Sequence, residues 1–149
     1  MAAHRLWHNN LVFLGSHLTI KIILDTNFLF VPSQFHLDIF EELARLLERQ
    51  VEPLILSSTF GELQKLVKSR SVKKSKQALL GLKLTEKCRV VEMERKSGES
   101  NDDVILRASV EMKCAVATND RELRKKLRNA GVPVVFLRQK STLALDGSV

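Results

Sequence analysis

Short continuous apolar runs, each followed by apolar residues at helical spacing, recur along the chain, and this alternation limits the available folds more than any single motif does. Ile20-Lys21-Ile22-Ile23-Leu24 is apolar and β-branched, as a central parallel strand should be. After Pro32 and Ser33, the residues Ile39, Phe40, Leu43, Leu46 and Leu47 follow the period of an amphipathic helix from about Leu37 to Glu48. Pro53 starts the next unit. Leu54-Ile55-Leu56 is a short strand, and Ser57-Ser58-Thr59 supplies caps for a helix carrying Leu63, Leu66 and Val67. Lys68 to Lys76 is basic and Ser-rich and leads into a helix with Ala78, Leu79 and Leu82. Arg89-Val90-Val91 is the third strand, Glu94 to Asn101 has loop composition, and the next helix bears Ile105, Ala108, Ser109 and Met112. Cys114-Ala115-Val116-Ala117 is the fourth strand. A basic helix from Asp120 to about Ala130 stops at Gly131, and Val132-Pro133 leads into a fifth strand, Val134 to Leu137.

Repeated strand-then-helix units imply right-handed crossovers and the α/β class: a single-domain three-layer α/β/α sandwich with a central parallel sheet. A chain of 149 residues, 44% hydrophobic, holds one such domain. Residues 20–140 are assigned to it, 1–19 to an N-terminal extension and 141–149 to a C-terminal tail without secondary-structure signal. In the extension, Leu11-Val12-Phe13-Leu14 is too short to span a bilayer, Arg5 is the only Lys or Arg, and His4 and His8 read as a solvent-exposed pair. Neither signal peptide nor membrane helix is expected. Cys88 and Cys114 each adjoin a strand, where a buried free thiol is the usual reading, so a reducing, cytoplasmic compartment is the expectation.

Four acidic stretches fall where strands hand over to helices: Asp25, Glu62, Asp102-Asp103 and Asp120. In a parallel sheet, function gathers at the carboxyl ends of the strands, and this one would bring all four to that edge. Two carboxylates about 4 Å apart repel by about 4 kcal/mol at an effective dielectric near 20, so the group calls for a cation. Hard oxygen donors without Cys or His suit Mg²⁺ or Mn²⁺ better than Zn²⁺. Each acid also has an ordinary structural use. Asp25 can close an Asx turn, with Asn27 as a further polar contact. Thr59-Phe60-Gly61-Glu62 matches a capping box. Asp102 and Asp103 suit the positive end of a helix, and Asp120 lies in a first turn after Asn119, a cap.

Taken together, Asp25-Thr26-Asn27, Glu62 in the second unit's helix, the run Asp102 to Ala108 and the run Ala117 to Leu123 resemble the PIN domain family, over about Ile20 to Leu137. Val116 to Leu123 followed by Gly131-Val132-Pro133-Val134 looks most like its rRNA-processing branch and archaeal relatives, with toxin-type PIN ribonucleases as the sister group. The resemblance implies a Mg²⁺- or Mn²⁺-dependent endoribonuclease acting on single-stranded RNA. It carries the catalytic acids over as Asp25, Glu62, Asp103 and Asp120. Asp25, Asp103 and Asp120 would hold one or two ions, and Glu62 would orient a metal or a water for in-line attack on a phosphodiester. Asp103 is preferred to Asp102 because Ala108, five residues on, falls where the family has a small residue; Asp102 stands behind it, with Asn27 and Thr118 as polar helpers. The cysteine-rich metal motif of some eukaryotic relatives is absent.

The formal charge of +7, from 24 Lys and Arg against 17 Asp and Glu, fits a polyanionic partner. Lys65, Lys68, Arg70, Lys73, Lys74, Arg121, Arg124 and Lys125 flank the acids in sequence and are assigned to RNA phosphates; a solvated helix face is the plainer use of such residues. There is no Tyr, and Phe28 and Phe30 read as buried, so base stacking is poorly supplied. The expected partner is single-stranded RNA, with an rRNA precursor, a homodimer or an antitoxin as what the resemblance allows. The rival function is a non-catalytic RNA-binding scaffold in ribosome assembly. A phosphotransfer domain with Asp25 as acceptor is disfavoured, because no Lys follows the fourth strand and Thr26-Asn27 stands where a second acid is wanted.

Overall fold

The computed structural model describes residues 19–149, so the expected extension, with His4, His8 and Leu11 to Leu14, lies outside the described residues. Strands β1 (Ile20–Leu24), β2 (Val51–Leu56), β3 (Arg89–Val91), β4 (Ala115–Ala117), β5 (Val134–Arg138) and β6 (Thr142–Asp146) form one sheet in the order β3-β2-β1-β4-β5-β6. The first five are parallel and β6 is antiparallel to β5. β1 leads through a 3₁₀ turn (Thr26–Phe30) into helices α1 (Val31–Phe35) and α2 (Ile39–Leu47). Helices α3 (Ser57–Val67) and α4 (Val72–Thr85) connect β2 to β3, α5 (Asn101–Met112) precedes β4, and α6 (Arg121–Asn129) joins β4 to β5.

Side chains alternate across the pleat and divide the core in two. Ile22, Leu24, Ile55, Ala115, Ala117 and Val135 face one layer, packing with Phe28, Leu29, Ile39, Leu43 and Leu63. Ile23, Leu54, Leu56, Val116 and Val134 face the other, against Val104, Ile105, Ala108, Leu123 and Leu127. The three-layer α/β/α sandwich expected from the alternation is therefore the fold. From β1 the chain moves outward through β2 to β3, then returns to the other flank of β1 with β4. The segments that leave β1 and β4 enter opposite layers, which opens a crevice at the carboxyl ends of those neighbouring strands.

Several boundaries differ from the sequence reading for physical reasons. β2 begins at Val51 and runs through Pro53, because β3 pairs only from Leu54 onward and the edge of β2 away from β1 is open at the proline. Helices α1, α2 and α5 end on His36, Glu48 and Lys113, each left-handed at φ 53 to 54°, so no glycine marks those stops. Gly131, with φ 79°, does follow α6 as expected. Gly81 allows close helix packing: a Cβ there would lie 3.2 Å from Leu63 Cδ2. Cys88 and Cys114 are both free thiols, the second buried.

The segment read as a tail from Ser141 onward contains β6 instead. It is reached by a turn in which Gln139 and Lys140 both have positive φ, 54° and 63°, the geometry that Asn-Gly ordinarily announces. Exchanging Gln139 and Lys140 for Asn-Gly should relieve this strain and stabilise the protein by about 1 kcal/mol. A thermal melt should then show a midpoint about 2–4 °C higher; an unchanged or lower midpoint would contradict the turn assignment.

Candidate active site

Pairing between β1 and β4 extends to the first acid, since the Asp25 N–H donates to the Ala117 carbonyl at 3.0 Å. Asp25 does make the local turn, its Oδ1 accepting from Thr26 N at 2.8 Å. Its other oxygen, Oδ2, accepts from Thr118 Oγ1 at 2.8 Å and from Asn27 Nδ2 at 3.1 Å. Thr118 is wholly buried, and its Oγ1 accepts in turn from Asp120 N at 3.1 Å. Thr118 and Asn27, expected as polar helpers, thus both touch the Asp25 carboxylate.

Asn119 is not the cap of α6. Its N–H donates to Asn27 Oδ1 at 3.0 Å and its Oδ1 accepts from Leu137 N at 2.8 Å, so it straps the ends of β1, β4 and β5 together. The cap is Asp120, whose Oδ1 accepts from Glu122 N at 2.9 Å and Leu123 N at 3.2 Å, so that one oxygen makes both cap bonds.

Glu62 makes no capping box. Helix α3 starts at Ser57, with Leu56 as a cap that offers no side-chain bond, and Thr59 lies buried inside the first turn. Glu62 Oε2 instead accepts from Thr26 Oγ1 at 2.9 Å and Asn101 Nδ2 at 3.2 Å. Thr26, which the sequence reading passed over, therefore links two acids, its backbone holding Asp25 and its hydroxyl Glu62. Asn101, at the end of the segment with loop composition, is the first residue of α5. Its Oδ1 is bonded by Arg95, and the loop ahead of it is fixed by Arg107, which reaches Glu99 with Nε and Nη2 at 2.9 Å each and the Glu94 carbonyl at 2.6 Å. The Arg107 guanidinium beside Glu99 pulls that carboxyl down to about 2.

The adjacent acids divide their work. Asp103 closes a capping box with Ser100: its Oδ2 accepts from Ser100 N at 3.0 Å and its N–H donates to Ser100 Oγ at 3.2 Å, which lowers its carboxyl pKa. Asp102 has its pKa raised, first by burial and then by Asp120, with Asp103 and Glu62 adding to it. Asp25 is pushed up to about 6, mainly by burial against the opposing bonds of Thr118 and Thr26, with Asp102 and Glu62 raising it further. Asp102 thus feels Asp120, Asp103 and Glu62, and Asp25 feels Asp102 and Glu62. The resemblance prefers Asp103; in the structure the Asp103 carboxylate is engaged by the Ser100 cap, while it is Asp102 that acts on Asp25. Lys126, absent from the sequence reading, lowers both Asp102 and Asp103 from α6.

Among the described residues no group of three or more Asp, Glu, His or Cys side chains is placed closely enough to hold a metal ion by itself. An open group of carboxylates still suits Mg²⁺ or Mn²⁺, which keeps several waters and takes one or two carboxylates together with substrate phosphate. Uncompensated burial of Asp25 beside two other acids is the electrostatic condition that a cation relieves.

The basic residues assigned to RNA lie in two groups. Lys65 is one turn from Glu62 on α3, while Lys68, Arg70, Lys73 and Lys74 gather at the α3–α4 junction, the first of them about 9 Å of helix further on. Arg121, Arg124 and Lys125 are on α6. Among the described residues only Arg124 of these forms a salt bridge, to Asp146.

A family model described as "PIN like domain" matches residues 22–140. The chain belongs to the PIN-like domain family. Ribonuclease VapC4 of Methanocaldococcus jannaschii is 31% identical over 129 residues, which is 87% of this chain and 98% of that protein. The rRNA-processing protein fcf1 of Schizosaccharomyces pombe is 29% identical over 123 residues, 76% of this chain and 57% of that protein. The solved structure of the PIN domain endonuclease Utp24 superposes with a TM-score of 0.71 at 26% identity, over 87% of this chain and 95% of that one. In this PIN-like domain no helix among the described residues is long and apolar enough to cross a membrane.

The Asp25 pKa sets a pH dependence. Its folded value, about 6, exceeds the ordinary 3.8, so the native state holds more protons between those values, and stability falls as pH rises through that window. Without added metal, wild type should lose stability relative to Asp25→Asn from about pH 4 to pH 6 and hold level above, by at most about 3 kcal/mol. Thermal midpoints of both proteins in chelator at pH 4 to 8 check this. A gap that does not change with pH would refute the burial of that charge.

Proposed function

We propose that the chain is a divalent-metal-dependent endoribonuclease that hydrolyses phosphodiester bonds of single-stranded RNA, using Asp25, Glu62, Asp102 and Asp120. The observation that carries this reading is the buried Asp25 carboxylate, which is close enough to Glu62 and Asp102 to feel their charges and is surrounded by neutral donors. The ribonuclease and rRNA-processing relatives support RNA as the substrate.

Bound Mg²⁺ or Mn²⁺ would supply Lewis-acid activation of water and offset charge building on the phosphate. Asp25, Asp102 and the free Oδ2 of Asp120 are the oxygens suited to hold it. Thr118 and Asn27 aim the Asp25 carboxylate without neutralising it, and Thr26 and Asn101 do the same for Glu62, which is left to orient the ion or the attacking water. Such supporting bonds are worth about 10–100-fold in metal affinity or activity. Lys126 is near enough to Asp102 and Asp103 to lower both, and the basic α6 and the α3–α4 junction draw in the strand.

Cleavage of a single-stranded RNA with Mn²⁺ separates the acids. Asp25→Asn and Asp102→Asn should each lower the rate by about 100-fold or more. Asp103→Asn should cut within about threefold of wild type while melting slightly earlier through its cap. Thr118→Val should fall in between, in the range given for supporting bonds. If Asp103→Asn is dead and Asp102→Asn active, the assignment of the pair is reversed; RNA binding without any cleavage by wild type would leave a scaffold.

A further inference from the structure

Between α6 and β5, immediately beside Thr118 and Asn119, lies a cavity of about 240 Å³ lined also by Arg121, Arg124, Phe136 and Arg138. We propose that it binds a backbone phosphate of the nucleic-acid strand, next to the phosphodiester at the acidic group, with Arg124 as its built anion ligand. The nuclease reading enters only in naming that neighbouring phosphodiester.

Of the α6 residues that line the cavity, Arg121 and Arg124, it is Arg124 that is held on two sides. Its guanidinium carbon lies 3.6 Å from the Phe136 ring centroid, and its Nε donates to Asp146 Oδ2 at 3.1 Å. The second oxygen of Asp146 is taken by Arg128 Nε at 3.2 Å, so one carboxylate is shared by two arginines and positive charge is left over. A guanidinium held at Nε keeps both terminal amino groups for a further anion, in the planar fork that suits phosphate. Because Phe136 and Asp146 have already fixed the side chain, a ligand need not bear the cost of ordering it.

The surroundings select a phosphate over other ligands. The cavity lining contains three arginines and no carboxylate. Its volume falls below the roughly 300–1,000 Å³ of sites for drug-sized molecules, which suits one phosphate with part of its sugar. Arg124 covers the face of Phe136, so that ring is not a platform for a base. Thr118 and Asn119 form the wall shared with the acids, since the first donates to Asp25 and the second to Asn27. An extended strand with one phosphate in the cavity therefore runs directly past Asp25.

The test is equilibrium binding of a fluorescent single-stranded oligoribonucleotide to the full chain in EDTA, across a salt series. Arg124→Ala should lower affinity about tenfold and flatten the slope of log affinity against log salt by about 0.7, one phosphate contact. Phe136→Leu should weaken binding about threefold with the slope unchanged, because it removes the support and keeps the charge. A walk of single neutral methylphosphonate linkages should find one position, beside the bond that is cut, whose neutralisation costs wild type about tenfold and Arg124→Ala nothing. Arg124→Lys, which retains the charge in case the alanine variant folds poorly, should keep the salt slope and lose that positional effect. An Arg124→Ala protein with wild-type slope and wild-type linkage profile overturns the subsite, as does inhibition of RNA binding by a mononucleotide with no linkage effect in wild type. Asp25→Asn separates the two readings: if it still cleaves with Mn²⁺ while Arg124→Ala has lost its phosphate contact, the nuclease assignment fails and the subsite stands.

Discussion

A buried carboxyl group held by neutral hydrogen-bond donors is the constraint on which the rest of the site depends. Asp25 sits at the end of a strand whose preceding residues, Ile22, Ile23 and Leu24, are fully buried, and burial is the largest influence on its charge. What keeps it in position is a set of donors delivered by sheet pairing. Thr118 belongs to the end of β4, so the register Leu24 to Ala117 brings its hydroxyl to Asp25. A one-residue slip between β1 and β4 would turn the carboxylate toward the opposite helical layer and remove that bond, which makes the register a functional quantity as much as a packing one.

The donors around the acids share a chemical character. Thr26, Asn27, Asn101 and Thr118 are neutral, and backbone N–H groups supply most of the remainder. Neutral donors solvate a carboxylate and fix its orientation while leaving its charge in place, whereas a lysine or arginine at the same distance would cancel the field that a divalent cation needs. The strong guanidinium pairing in this region, Arg107 with Glu99, is spent on the loop ahead of α5, where it holds Asn101 and Asp102 in position without touching the acidic recess. Lys126 reaches the group only from α6 at the rim.

Much of this was legible in the chain. Continuous apolar runs ending in Asp25, near Glu62, before Asp120 and around Asp102 announced both the sandwich and the edge where the acids meet, because strand burial and helix periodicity are local patterns. The choice between Asp102 and Asp103 was not legible, since both lie in the first turn of α5 and their roles are set by which one faces Ser100 across the cap and which one faces Asp120 across the crevice. Thr59-Phe60-Gly61-Glu62 read as a capping box only because local spacing cannot reveal that α3 had already begun at Ser57, leaving Glu62 to reach Thr26 and Asn101. Thr26 and Asn119 acquire their parts through partners far away in sequence. β6 escaped notice because Gln139 and Lys140 occupy a turn geometry that other residues normally advertise.

The order in which the pieces appear along the chain has a consequence for biogenesis. Every acid, and every hydrogen bond that aims one, is encoded by Leu137, whereas Asp146, which steadies Arg124, belongs to the strand that pairs only with β5. During synthesis from the amino end, the acidic group can assemble before the support of Arg124 does. Closure of the β5–β6 hairpin is then the step that completes the surroundings of Arg124.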